Sequence, residues 1–251
     1  MCGRYANSRS SADLAAEFDI QPEYAPSEVL ADYNVAPTKE VPAVVERRPR
    51  RDSDADPVRQ LRLLRWGLVP TWAKDPSIGN RMINARMETV AEKPSFRRAF
   101  AVRRALLPAD GYFEWYETEK RNAKGKPIKQ PFFIRPRDGG VLAMAGLYEI
   151  WRDPTKDESA DDAFRWTCTV LTTKAEDDVG HIHDRMPLLV EPDRYHAWLD
   201  PDRSEKDDLL GLLVPAAPGR LEAYPVSTEV NNVRNNGPQL LDPLAVDGDE
   251  R

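Results

Sequence analysis

The segment ALLPADGYFEWYE, residues 105–117, holds the first decision about the fold. Ala105, Leu106 and Leu107 form a short apolar run, and Pro108, Ala109, Asp110 and Gly111 make a turn signal. From Tyr112 the side chains alternate: Tyr112, Glu114 and Tyr116 fall on one face of a predicted strand, Phe113 and Trp115 on the other. Further strands are predicted at 41–46, 62–68, 132–135, 141–148, 166–173 and 221–227. Turns and short loops separate most of them, which argues for antiparallel pairing rather than βαβ units. A short helix is expected over 11–18, a helical stretch over 88–100 that Pro94 must break, and helices over 192–199 and 203–213. Tyr33-Asn34-Val35-Ala36-Pro37-Thr38 reads as a rigid loop, because proline fixes its own φ and extends the residue before it. The expected fold is α+β, a single domain whose curled, mainly antiparallel sheet forms a barrel-like core flanked by short helices.

The chain has 251 residues and only two cysteines, Cys2 and Cys168, so no disulfide framework is available. A reducing, cytoplasmic setting is expected, nucleoid-associated in a bacterium. No apolar run approaches the roughly 18 residues of a bilayer span, and the N-terminal residues lack the apolar core of a signal peptide. A soluble monomer without a membrane partner is expected. The net charge of -6 opposes an extensive polyanion interface. Its distribution matters more than its sum. Acidic residues gather over 153–162, 200–208 and 247–250. Basic residues gather at Arg47, Arg48, Arg50 and Arg51, and at Arg97, Arg98, Arg103 and Arg104. Residues 47–59 read as a solvated loop and 118–129 as a lysine-rich hairpin connection.

Four stretches place an uncommon polar group beside turn or aromatic residues: Cys2 in MCGRY, Asn84 in INARMET, Glu114 in GYFEW and His183 in HDRMP. Methionine before a small residue is normally trimmed, which would make Cys2 the N-terminal residue, with a free α-amine and a thiol on adjacent carbons. Both titrate within about 1.5 units of neutrality in the absence of tuning. Such an aminothiol condenses with an aldehyde: the amine forms an imine, and the thiol closes a five-membered thiazolidine intramolecularly. Asn84 suits holding the amine or a substrate oxygen, Glu114 proton shuttling as water leaves, and His183 protonating a departing oxygen. Taken singly, Asn84 is as readily a helix cap or turn residue. Glu114 needs a partner or a task if both faces of its strand are covered. His181 and His183 form an HxH pair without a third ligand at zinc-like spacing, so no metal and no other cofactor is expected. Cys168 alternates with Trp166 and Val170 and reads as a core residue, and His196 as structural or solvated.

The segments MCGRY, YNVAPT, WGLVPTWAKDP, IGNRMINARMETVAEKPSFR, LLPADGYFEW, MAGLYE, TCTVLTT and IHDRMP, in this order, closely resemble the SRAP (SOS response-associated peptidase) family, also called abasic-site processing proteins. The resemblance runs over 2–240 and leaves 241–251 as an acidic tail. It implies a protein that recognises abasic sites in single-stranded DNA and captures the sugar aldehyde as a thiazolidine cross-link through Cys2. Associated lyase and autopeptidase activity fall within what it implies. The catalytic set it implies is Cys2, Asn84, Glu114 and His183. It further implies Arg4, Arg86 and Arg185 facing phosphates, Trp72 and Trp115 beside the DNA path, and Thr172 lining the pocket. Two other classes compete with that reading: a thiol peptidase using Cys2 and His183, and a non-covalent single-strand sensor.

Overall fold

The computed structural model describes residues 2–49, 54–175, 179–214 and 219–245. Met1, Arg50, Arg51 and the acidic run 247–250 lie outside the described residues. Twelve strands are described: β1 (Tyr5–Asn7), β2 (Asp32–Val35), β3 (Glu40–Arg47), β4 (Val58–Trp66), β5 (Asn84–Arg86), β6 (Arg104–Ala109), β7 (Gly111–Arg121), β8 (Pro127–Pro136), β9 (Leu142–Arg152), β10 (Phe164–Lys174), β11 (Arg185–Pro187) and β12 (Leu221–Pro225). Four short helices accompany them: α1 (Ser11–Glu17), α2 (Arg97–Val102), α3 (Tyr195–Leu199) and α4 (Lys206–Leu212).

Strands β3, β4, β10, β9 and β6 close on themselves, since β10 pairs with both β4 and β9 while β3 bridges β4 and β6 and β9 joins β6. A ring of five strands cannot alternate direction all the way round, so one neighbouring pair must run parallel. That pair is β4 with β10, where Arg65 faces Thr167 and Trp66 faces Cys168. Beyond the end of β4 the same strand holds β5, also in parallel, and β11 on the other side of its register. A second sheet runs β12-β8-β7-β1-β2. The expectation of an α+β fold with a curled, mainly antiparallel, barrel-like core therefore holds.

Period-two alternation sorts the barrel residues. Val41, Ala43 and Val45 of β3, with Leu64 and Trp66 of β4, join a cluster shared with Cys2, Tyr5 and Tyr112 of the second sheet. Val44 and Leu61 join the cluster that holds Leu14, Phe18, Phe100 and Trp198 of the helices. Helix α1 begins in a capping box: Ser10 Oγ accepts from the Asp13 amide at 3.2 Å, and the Asp13 carboxylate accepts from the Ser10 amide at 3.2 Å. The 88–100 stretch is shorter than expected, a 3₁₀ turn at Met87–Thr89 and then α2, with Pro94 between them.

Three local features differ from the sequence reading or add to it. The 33–38 segment is not all loop, because residues 32–35 form β2 against β1. The polar segments around Asn84 and Arg185 are the short strands β5 and β11. The turn in the 105–117 segment does not join neighbours in one sheet: β6 lies in the barrel and β7 in the second sheet. Asp110 makes that corner, accepting from the Ser8 amide at 2.6 Å and pairing with Arg9 at 3.2 Å. A proline and an aspartate signal a change of direction, but cannot say which strand the chain pairs with next.

Gly67 ends β4 with a φ of +129°, and a Cβ there would lie 2.6 Å from the Gly79 carbonyl oxygen. Gly125 has a φ of +73° with open space around it. Gly67→Ala therefore meets both backbone strain and a backbone clash, and is expected to cost about 2 kcal/mol or more; Gly125→Ala should cost about 1. Urea midpoints at equal slope would measure both, and equal losses would contradict the close approach.

Candidate functional site

Strand β10 organises the site. Its Val170 sits opposite Asn84 in the parallel pairing with β5, and its Lys174 sits opposite Arg185 in the antiparallel pairing with β11, two residues after His183. The second sheet supplies the remainder: Tyr5 of β1 faces Tyr112 of β7, two residues before Glu114. Cys2, 82 positions from Asn84 in the chain, is tied to it directly, because Asn84 Nδ2 donates to the Cys2 carbonyl at 2.8 Å. Four residues scattered from position 2 to 183 are thus positioned by two pairings of β10 and by the β1–β7 pairing of the second sheet.

Both faces of β7 are covered. Tyr112 enters the cluster of Cys2 and Tyr5, while Phe113 packs with Phe133, Val226 and Val230. Glu114, 3% exposed, is therefore a carboxyl in largely dry surroundings, and burial pushes its pKa up to about 7. A group half-charged near neutrality can both give and take a proton there. The Cys2 side chain is wholly buried, and burial together with the nearby charge of Glu114 drives its thiol pKa upward. This corrects the expectation of a thiol partly ionised at neutral pH without tuning: a dry cluster penalises thiolate. The Asn84 Oδ1 and the hydroxyls of Tyr5 and Tyr112 are also buried and lack hydrogen-bond partners among the described residues.

His183 is about one-third exposed. Its Nδ1 accepts from the Arg185 amide at 2.9 Å, which leaves the proton of the neutral ring on Nε2. The same nitrogen lies 3.0 Å from the Asp184 carboxylate, a contact that is attractive only once the ring is protonated. The two contacts exclude each other; the backbone donor is fixed and burial lowers the His183 pKa, so the neutral arrangement describes the ring at pH 7.

Glu114, His183 and Trp115 line one groove of about 800 Å³, with Lys129, Thr228 and Asn231 on its walls. The remaining sequence-derived residues lie elsewhere. Arg4 is half-buried, donating to Asn34 Oδ1 at 2.6 Å and the Val230 carbonyl at 2.7 Å, with its guanidinium 5.7 Å from the Trp115 ring. Arg185 forms a two-pronged pair with Glu88 at 2.6 and 3.1 Å and donates to the Thr172 carbonyl at 2.6 Å. Buried Thr172 thus supports Arg185 from β10. Arg86 is exposed at the end of β5, and Trp72 is 56% exposed in the segment after β4. Both cations expected to face phosphates from beside Cys2 and His183 are engaged within the protein.

Sequence reasoning gave no role to Asn34 or Glu88. Asn34 is fully buried, and its Nδ2 points at the carbonyls of Val230, Asn232 and Asn235 at 3.3, 3.0 and 2.9 Å. It clamps the loop whose Thr228 and Asn231 wall the groove, and Trp115 Nε1 seals that contact by donating to Asn231 Oδ1 at 2.7 Å. The available signal was a lone Asn beside Pro37 in one segment and an Asn-rich loop, 231–237, in another. Nothing local connects them across about 200 residues.

Comparison with known proteins gives a consistent set of relatives. The family described as SOS response associated peptidase (SRAP) matches residues 1–233. The chain is 38% identical over 243 residues to the abasic site processing protein YoaM of Bacillus subtilis (strain 168), covering 96% of this chain and 98% of the relative. It is 34% identical to the abasic site processing protein YedK of Escherichia coli (strain K12), covering 97% and 100%. It is 32% identical to the abasic site processing protein HMCES of Gallus gallus, covering 97% of this chain and 78% of that one. The crystal structure of a protein from Bacteroides thetaiotaomicron superposes with a TM-score of 0.77 at 23% identity, covering 97% and 100%, which shows a shared fold.

Replacing Asn34 by Ala would strip three buried carbonyls and the Arg4 guanidinium of one partner. A loss of about 2–3 kcal/mol is expected, together with faster amide exchange across 228–236. Unchanged exchange in that loop would show that the clamp is not what holds the groove wall.

Proposed function

The chain belongs to the SOS response associated peptidase family, and from that membership and the chemistry of the groove we propose that it processes abasic sites in DNA during the damage response, capturing the lesion covalently through Cys2 once Met1 is removed. The substrate is the ring-opened sugar of an abasic site in single-stranded DNA. The observation that carries this reading is a buried carboxyl poised near neutrality and an imidazole lining one groove, with the buried Cys2, anchored by Asn84, close enough to feel the charge of that carboxyl.

As the sugar opens to its aldehyde, the anomeric hydroxyl loses its proton and the ring oxygen gains one, with the Nε2–H of the neutral His183 ring donating a hydrogen bond to that departing oxygen. The Cys2 amine adds to the aldehyde carbon, and the carbinolamine loses one water, its hydroxyl protonated from Glu114. The thiol then adds to the carbon of the iminium so formed, and its proton returns to the Glu114 carboxylate, which restores the acid and leaves the ring nitrogen neutral. The net reaction is aldehyde plus aminothiol giving thiazolidine and one water. Asn84 fixes the Cys2 backbone so that amine and thiol meet one carbon, where orientation substitutes for concentration. Its Oδ1, unpartnered among the described residues, is an acceptor for a sugar hydroxyl, and the hydroxyls of Tyr5 and Tyr112 are donors to sugar oxygens.

Burial supports this order of events over thiol proteolysis. A peptidase needs its thiolate first, and the surroundings of Cys2 disfavour thiolate. In thiazolidine closure the amine reacts first, and the thiol meets an electrophile already held beside it.

The test is a heat-stable adduct between the Met1-trimmed protein and an oligonucleotide bearing one abasic site. Cys2→Ala should abolish it; an adduct that persists without Cys2 would refute the proposal. Glu114→Gln and His183→Ala are each expected to slow adduct formation by roughly 10²-fold. Because Glu114 acts first as an acid and loses that proton as the pH rises through about 7, its contribution to the rate should fall across that pH, and Glu114→Gln should remove the part of the fall centred there. An unaltered pH profile in the variant would remove Glu114 from the proton path.

A further inference from the structure

Beyond the sheet, β7 and β8 continue as a ribbon that pairs only with itself. β1 reaches β7 only at Gly111 and Tyr112, and β12 reaches β8 only from Phe132 to Pro136; Trp115, Gln130 and Pro131 still bond to the 226–231 segment, and farther out the ladder joins Glu117 to Lys129 and Arg121 to Pro127. The ribbon's tip is stiff. Asn122 and Lys126 close it with a 2.9 Å backbone bond, and Asn122 Oδ1 accepts from the amides of Lys124 and Lys126 at 2.9 and 3.1 Å. Residues 117–129 carry five basic side chains against Glu117 and Glu119, in a chain whose net charge is -6. Lys129 pairs with Glu117 at 2.9 Å, whereas Lys120, Lys124 and Lys126 are exposed and make no ion pair among the described residues.

A basic turn by itself is usually a solvated tip. Two further observations set this one apart. The groove of Glu114 and His183 runs onto the ribbon without a break, lined there by Asn122, Pro127, Ile128 and Lys129. Two large apolar side chains stand exposed beside the cations, Tyr116 at 40% and Ile128 at 43%. Cations that track phosphates interleaved with apolar surface that receives a base or sugar make a single-strand binding surface.

We propose that this ribbon is an arm that grips the backbone of the same DNA strand beyond the groove, a role that rests on the abasic-site reading above. Its partner is the phosphate backbone flanking the lesion, with Lys120, Lys124 and Lys126 as the contacts, Ile128 as the surface between them and the site, and Lys129 at the junction. The arm raises occupancy of the groove and takes no part in the chemistry.

The experiment follows adduct formation in the unaltered protein and in the combined variant Lys120→Gln, Lys124→Gln, Lys126→Gln, with oligonucleotides lengthened stepwise on either side of one abasic site. The variant should need more oligonucleotide for half-maximal rate yet reach the same saturating rate. It should lose the gain that length gives the unaltered chain on one side. Its log–log salt slope should be shallower by about 2, roughly 0.7 for each of the three phosphate contacts removed. A slope and length response equal to those of the unaltered chain would overturn the arm. A second measurement avoids any folding defect in the variant: in the adduct of the unaltered protein, Lys124 and Lys126 should be shielded from an amine-acetylating reagent, and equal labelling in free and adduct forms would also overturn it. If the unaltered protein forms no adduct at all, the abasic-site reading fails and the arm falls with it.

Discussion

The parallel contact between β4 and β10 is the constraint on which the rest of the structure depends. Five strands close into a ring only if one pair runs in the same direction, and here that pair frees the later half of β10 from β4. Val170 to Thr172 then pair with β5, and Thr172 to Lys174 with β11. Closure of the barrel and assembly of the site are therefore two consequences of one strand's length. Gly67 makes the switch sterically feasible: its amide donates to the Cys168 carbonyl at 2.8 Å, and its missing side chain lets the Gly79 segment approach and lead into Asn84.

Much of the fold was legible because strand alternation and turn chemistry are local signals. The antiparallel barrel strands were recognisable from residues such as Val41, Val44, Leu106 and Met144. Strands β1, β2, β5 and β11, three or four residues each, were not, since they owe their extended form to partners far away in sequence. The same limit applied to the site. Cys2, Asn84, Glu114 and His183 were each recognisable as polar groups in unusual settings. The meeting of Glu114 and His183 in one groove, and the bond from Asn84 to Cys2, belong to tertiary structure. What local reading reversed was environment: a thiol judged by its residue type looks accessible to ionisation, and the same thiol inside a cluster with Tyr5, Trp66 and Val170 does not.

Burial of the reactive segment carries a cost and a use. Dry surroundings disfavour the thiolate, but they also hold Glu114 half-protonated near neutrality, where a carboxyl shuttles protons best. The polar atoms left without partners around Cys2, the Asn84 Oδ1 and two tyrosine hydroxyls, are costly when empty. On the proposed reading, a sugar whose oxygens reach these atoms recovers that energy on binding.

The cations close to the chemistry lead to a related conclusion about grip. Arg185 is held by Glu88 in a two-pronged pair and by the Thr172 carbonyl, and Arg4 by Asn34 and the Val230 carbonyl. A phosphate arriving at either exchanges one favourable contact for another, and the exchange yields little net affinity. With the whole chain at -6, an undamaged strand has small reason to stay in the groove. Attraction has to come from cations not already paired, and around the groove those lie on the ribbon of β7 and β8. On the proposed reading, this division of labour separates finding DNA from holding a lesion: reversible, salt-sensitive contact on an outlying arm, and retention only where an aldehyde is present to react.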